Sequence, residues 1–222
     1  RALKAIREIT GFLSDRGLAG EVVVVDDGST DATSRVVGEV AATSPVPVVL
    51  LRLEENRGKG AAVRTGMLAA RGRYRLFIDS DLAYPASEIG VVLDRLRAGS
   101  DVVLASRVHP EARYVIRPSF FRYLYTRHLS GRLFNWLVRV FLLPGISDTQ
   151  AGLKGFTADA ARRLFSAWTP DGFGFDLAIL ARARRLDLRL EEVPVTFRYD
   201  REPTTLRFLA DTVKMLASLV EI

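Results

Sequence analysis

Phe77-Ile78-Asp79-Ser80-Asp81 is the stretch whose residue types and spacing first suggest chemistry. An apolar run ends in two aspartates one residue apart, and on a strand such residues project to the same side. Two like charges at the mouth of a buried strand repel each other. A divalent cation shared between the carboxylates and a phosphate makes the arrangement favourable. Hard Mg2+ or Mn2+ takes oxygen ligands, and Mg2+ typically uses one or two carboxylates plus phosphate oxygens and water. Such an ion would neutralise charge building on a departing phosphate. The competing structural reading is that one aspartate caps a helix beginning near Pro85.

Two further segments carry candidate groups. In Val22–Asp31, VVVVDDGSTD, Gly28 allows a tight turn, Ser29 or Thr30 can cap the next helix, and Asp31 suits its positive end. Asp26 and Asp27 have no such structural duty and could accept hydrogen bonds from a base or a ribose. A G-x-G-x-x-G fingerprint is absent from this turn, which argues against NAD. In Asn56-Arg57-Gly58-Lys59-Gly60, two glycines open a helix beside Lys59. Either the free N–H groups and Lys59 meet a diphosphate, or the glycines only start a helix. The spacing is not that of a Walker A loop.

Positioning such groups takes a parallel sheet. β-branched or apolar runs at Val22–Val25, Val46–Leu53, Tyr74–Ile78 and Asp101–Ala105 alternate with helical spacing over 31–42, 60–70 and 85–97. That pattern predicts an α/β fold, a mostly parallel twisted sheet flanked by helices. Ligands then bind beyond the carboxyl ends of the strands, where Asp26-Asp27, Asp79-Ser80-Asp81 and Ser106-Arg107 should share one edge. Further on, the spacing predicts helices near 158–166 and after DGFGFD to about 185, a strand at 188–197 and an amphipathic helix at 204–220.

The chain has 222 residues, 48% hydrophobic and 26% charged, with no cysteine. One domain spanning 1–222 is expected, without disulfides or Cys-ligated metals. No apolar run reaches the roughly 18 residues of a membrane span. The formal net charge of +6 favours an anionic partner. Between Arg107 and Arg139 lie seven arginines and one acid, Glu111, interleaved with aromatics. Arg117, Arg122, Arg127 and Arg132 recur every fifth residue, so on one helix each steps about 140° from the last. The segment is either a set of solvated, snorkelling arginines or a surface resting on anionic lipid. No recognised DNA or RNA module appears, so no nucleic-acid partner is expected. His109 and His128 lack metal-like partners.

Taken together, VVVVDDGSTDATS, ENRGKGAAVRTGM, LFIDSDLAYP, LASR, SDTQAGLKGFT and GFGFDLAIL resemble the inverting family-2 glycosyltransferases, and most of all the dolichyl-phosphate glucosyltransferase and polyprenyl-phosphate glycosyltransferase branch. The resemblance implies a GT-A fold, a nucleotide-sugar donor (UDP-glucose or GDP-mannose), a polyprenyl or dolichyl phosphate acceptor and Mg2+ or Mn2+. It further implies Asp27 at the nucleotide, and Asp79 and Asp81 at metal and donor; Lys59, read from its own loop, is the matching candidate for the nucleotide-sugar. Gln150 and Asp176 would line the sugar and acceptor region. Arg107, with Arg117, Arg122, Arg198 and Arg201, would meet phosphates. The Gly-Ser-Lys usual after the last strand reads Pro203-Thr204-Thr205 here, and Ala83 matches the glucosyl-type pattern. The family opens with a strand bearing a Pro-x-Tyr-Asn-Glu-like segment; this sequence starts in what reads as the following helix, so a longer native protein is expected. A cytoplasmic location at a membrane face is the matching expectation.

In this reading the acceptor phosphate oxygen attacks the anomeric carbon and inverts it. A phosphate monoester has a second pKa of about 6, so it arrives ionised and needs no strong base. A sugar hydroxyl would need one, and Asp148 or Asp176 would be the candidates. Competing readings are a hydroxyl-acceptor transferase of the same fold, a nucleotidyltransferase, and a non-catalytic basic module for membranes or nucleic acid.

Overall fold

The computed structural model describes residues 2–116, 143–167, 170–172 and 174–199. The described elements run α1 (Ala2–Asp15), β1 (Val22–Asp26), α2 (Thr33–Thr43), β2 (Val48–Arg52), α3 (Lys59–Ala69), β3 (Tyr74–Ile78), α4 (Ser87–Arg97), β4 (Val102–Ser106) and β5 (Arg113–Ile116). After them come β6 (Leu153–Thr157), α5 (Ala158–Phe165), α6 (Phe175–Arg185), β7 (Leu190–Pro194) and β8 (Thr196–Tyr199). The four strands read from β-branched runs all form. Arg117, Arg122, Arg201 and the helix expected at 204–220 lie outside the described residues.

Three hydrogen-bonded sheets result: β1-β2, β3-β6-β4-β7 and β5-β8. The β1–β2, β4–β7 and β5–β8 pairs are parallel, while β6 runs antiparallel to both β3 and β4. β6 was not anticipated as a strand, and it separates β3 from β4. The single strand expected at 188–197 is two, divided after Pro194, which has no N–H to donate.

β4 is the centre of the main sheet, and all five of its residues are buried. Side-chain alternation sends Val102 and Leu104 to one face and Val103 and Ala105 to the other. The first face packs on Phe156, Leu164, Phe165, Phe175 and Leu177, largely from α5 and α6. The second packs on Val92 and Leu96 of α4, with Tyr84, Leu153 and Val193. Each fully buried Val or Leu contributes roughly 1.5–3 kcal/mol of transfer free energy. These two layers hold the strand ends in register, and hence the groups just beyond them.

Helix boundaries follow local chemistry. The Thr157 side chain accepts a hydrogen bond from Ala160 N and caps α5. Neither expected cap, Ser29 nor Thr30, stands at the N-cap of α2, which is Ala32; one residue before it, Asp31 Oδ1 accepts from Thr33 N at 2.9 Å. α6 ends with Asp187 at φ 52°, a left-handed position that closes the helix as Leu188 N bonds to Ala183 O.

Candidate active site

β3 ends at Ile78, so period-two alternation does not extend to Asp81. Asp79 to Leu82 form a turn instead, with Leu82 N donating to Asp79 O at 3.1 Å. Leu82 is buried and has φ 54°, a left-handed conformation that costs a non-glycine residue about 1 kcal/mol or more. Asp81 Oδ1 accepts from Ala83 N at 2.9 Å and so shapes this turn. Neither aspartate caps α4, whose N-cap is Ala86 with no side-chain bond.

Lys59 answers the repulsion between the two acids. Its Nζ lies 2.8 Å from Asp79 Oδ1 and 3.1 Å from Oδ2. Burial would lower the lysine pKa, but Asp79 and then Asp176 hold it above the usual range. Glycine at 152 makes room on the other side, because a Cβ there would overlap Asp79 Oδ2. Asp79 N also donates to Gly152 O at 2.9 Å, tying the turn to the start of β6.

Three N–H groups of the loop and first turn of α3 already have protein acceptors. Arg57 N and Gly58 N each donate at 2.8 Å to the two oxygens of Asp27, and Ala61 N donates to Asp171 O at 3.1 Å. Gly60 is glycine because a Cβ would overlap Pro170 O. Arg57 Nη2 pairs with Asp171 Oδ2 at 2.9 Å. The glycines therefore serve close backbone packing against residues 170–172. Asp27 clasps that loop, and Asp26 is buried, accepting from Ser29 N at 2.9 Å and from Ser34 Oγ. Burial would raise the Asp26 carboxyl, but these serine bonds bring it below the usual aspartate range.

Arg107 follows β4, on the edge where Asp79 follows β3. Asp148 receives Arg107 Nε at 2.7 Å and Nη2 at 2.7 Å on its two oxygens, and Arg107 N at 2.9 Å. The Asp148 side chain is 0% exposed and that of Arg107 28%. Burial alone would raise this carboxyl; the guanidinium and its hydrogen bonds bring it below the usual range. The guanidinium also lies 5.6 Å from the Phe197 ring centroid. Arg198, expected at a phosphate, instead pairs with Glu8 of α1 at 3.4 Å.

Asp176, in the first turn of α6, is equally committed. Its Oδ1 lies 2.6 Å from Lys154 Nζ, with side-chain exposures of 3% and 1%. Lys154 also donates to Ala151 O at 2.7 Å. Burial raises the Asp176 carboxyl despite its partner and lowers the Lys154 amine despite the aspartates nearby. Ser106 Oγ, Thr149 Oγ1 and Gln150 Nε2 are buried with no hydrogen-bond partner among the described residues. Polar atoms left so are frequent where a ligand or water completes the site.

Of the residues that sequence reasoning singled out, the structure pairs Arg107 with Asp148 and sets Asp79 and Asp81 in one turn. It missed the ionic role of Lys154, the partner of Asp176. Lys154 carried one signal, a lysine inside the otherwise apolar LKGF. By donor type alone, Asp79 and Asp81 offer the oxygen ligands a hard divalent cation takes, and in this structure the Asp79 carboxylate meets Lys59. No group of three or more His, Cys, Asp or Glu able to hold a metal occurs among the described residues. No described helix is long and apolar enough to cross a membrane.

Known proteins resemble this chain in sequence and in fold. A dolichyl-phosphate beta-glucosyltransferase of Drosophila melanogaster is 41% identical over 182 residues, covering 79% of this chain and 54% of the relative. The Saccharomyces cerevisiae protein of that name is 31% identical over 237 residues, covering 99% of this chain and 69% of the relative. The chain therefore spans from about half to two thirds of these relatives' length.

Among solved structures, mannosyl-3-phosphoglycerate synthase from Rubrobacter xylanophilus superposes with a TM-score of 0.67 at 20% identity, covering 99% of this chain and 69% of that one. A mannosyltransferase from Pyrobaculum calidifontis in complex with GDP-Man and Mn2+ gives 0.57 at 20% identity, covering 96% and 61%. Both bear out the GT-A fold. The model of glycosyl transferase family 2 matches residues 1–164. With that match and the identity to the yeast protein along its length, the chain belongs to glycosyl transferase family 2.

Proposed function

We propose that the chain transfers glucose from UDP-glucose to a polyprenyl or dolichyl phosphate, inverting the anomeric centre. The relatives named dolichyl-phosphate beta-glucosyltransferase support the donor sugar and the acceptor. The observation that carries the acceptor class is that both carboxylates suited to be a general base are committed to cations: Asp148 to Arg107 and Asp176 to Lys154. Such a site suits a nucleophile that arrives already ionised. A lipid phosphate, with its second pKa of about 6, does so near neutral pH.

In this mechanism Arg107 orients the acceptor phosphate by hydrogen bonds and charge. A phosphate oxygen forms the bond to the anomeric carbon from the side opposite the leaving group. The carbon–oxygen bond to UDP breaks, and its electron pair stays on the departing diphosphate. Mg2+ or Mn2+ held by Asp79 and Asp81 would supply charge neutralisation for that diphosphate. Lys59, beside Asp79, adds a positive charge on the same flank. Positioning and electrostatics supply the rate.

Titration of UDP-glucose by calorimetry with and without Mn2+, followed by transfer of labelled glucose to dolichyl phosphate or dolichol, tests the reading. Metal-dependent binding abolished in Asp81→Asn is expected, with label moving only to the phosphate. Equal transfer to the dolichol hydroxyl, or nucleotide affinity indifferent to chelators, would refute it.

A further inference from the structure

The Arg107–Asp148 pair is itself held by a residue outside every motif singled out above. Glu192 on β7 accepts Ser147 N at Oε2 (2.8 Å) and Asp148 N at Oε1 (2.9 Å). Its strand is hydrogen-bonded in parallel to β4, with Glu192 opposite Leu104, three residues before Arg107. The backbone from which the Asp148 side chain projects is thus fastened to the same sheet that delivers Arg107. Asp148 then receives three bonds from Arg107, one from the backbone and two from the guanidinium. Phe197 lies alongside that guanidinium, at 5.6 Å.

Each tier removes a freedom that would otherwise be lost on binding. A carboxylate gripping two consecutive amides fixes a loop backbone. A bidentate carboxylate fixes the plane of a guanidinium. Anion recognition by arginine depends on that plane, and an arm ordered beforehand binds more tightly than one ordered by its ligand. Neither acid is placed to take a proton from an acceptor: Asp148 spends both oxygens on Arg107, and Glu192 spends both on backbone amides. We propose that Glu192 and Asp148 form a two-tier brace that sets the Arg107 guanidinium for the anionic head of the acceptor. Both are positioning residues. The inference rests on the reading above that Arg107 meets the acceptor phosphate.

The test uses the full chain and two variants. Glu192→Gln replaces one accepting oxygen with an amide NH2 that faces a backbone N–H. Glu192→Asp keeps the charge on β7 but falls a methylene short of the two amides, and it serves should the first variant fail to fold. The first readout needs no turnover: hydrogen exchange of the Arg107 Nε–H by 15N NMR, assigned by its loss in Arg107→Lys. Exchange should quicken at least about tenfold, as expected for losing one charge-assisted hydrogen bond. The second is kinetic: the KM for dolichyl phosphate should rise about tenfold while that for UDP-glucose stays within about twofold.

A folded variant with unchanged Nε–H exchange overturns the brace. So does a fall in kcat at constant acceptor KM with loss of the acidic limb of the pH profile, the mark of a proton acceptor. Should the unaltered chain move no glucose to lipid phosphate, the functional reading fails, and the exchange measurement still decides the brace.

Discussion

Lys154→Met isolates the energetics of the site's interior. Lys154 and Asp176 meet at 2.6 Å with side chains 1% and 3% exposed, so neither has water to fall back on. Removing one partner of such a pair costs roughly 3–5 kcal/mol, because the other charge stays buried and uncompensated. For a chain of this size that loss lowers the Tm by about 6–20 °C. The defect must also depend on pH. Burial already raises the Asp176 carboxyl, and Lys154 is the leading influence opposing it. In the variant its folded-state pKa therefore stands well above the unfolded value of about 4. A group raised in this way supports folding fully below its unfolded pKa and loses that support as pH rises through the folded one.

Urea unfolding followed by circular dichroism should consequently show a larger loss at pH 8 than at pH 5. The double variant Lys154→Met/Asp176→Leu, which replaces the pair by apolar groups, should recover stability to within about 1 kcal/mol of the parent or exceed it. It should also retain transfer to lipid phosphate. Single-variant losses below about 1 kcal/mol at pH 8, or equal at both pH values, would refute the buried-pair reasoning. A double variant that folds yet loses the 100-fold or more that a general base typically contributes would restore Asp176 to that role.

Gly60→Ala should destabilise the protein by about 1–3 kcal/mol, since the new Cβ collides with the Pro170 carbonyl and neither backbone can yield cheaply; thermal melting checks it. Asp187→Gly should raise stability by about 1 kcal/mol, because φ 52° suits glycine and strains aspartate. Asp148→Asn should flatten the acid limb of the stability profile. Arg107 depresses this carboxyl below its unfolded value, so its contribution is present above pH about 4 and lost as pH falls further. Melting temperatures from pH 2 to 7 test that.

The strands that sequence periodicity identified are those whose residues are mostly apolar or β-branched along their length. Val22–Val25 and Val102–Ala105 are runs of apolar residues that a doubly covered sheet requires, and their ends carry the acids and Arg107. β6 escaped because LKGFT mixes a lysine and a glycine into five residues and follows a turn-rich segment. Lys154 is tolerable there only because Asp176, 22 residues on, lies on the same face. Such long-range ionic compensation leaves no periodic trace. Similarly, two glycines beside a lysine look the same whether they cradle a phosphate or admit the backbone of residues 170–172. Asp27 and Lys59 were legible as polar groups at a strand end and a helix start. Their present partners, the Arg57 and Gly58 amides and Asp79, come from loops that the topology folds over them.

The separation of β1-β2 from β3-β6-β4-β7 bears on how the molecule breathes. Among the described residues the two ladders share no rung, so opening one does not require unzipping the other. Native-state deuterium labelling should then register them as distinct cooperative blocks, with the amides of Val102 to Leu104 outlasting those of Val23 to Val25. The seating of Gly60, at the start of α3, under Pro170, ahead of α6, would be a rivet between those blocks, and loosening it should accelerate labelling in the smaller one first.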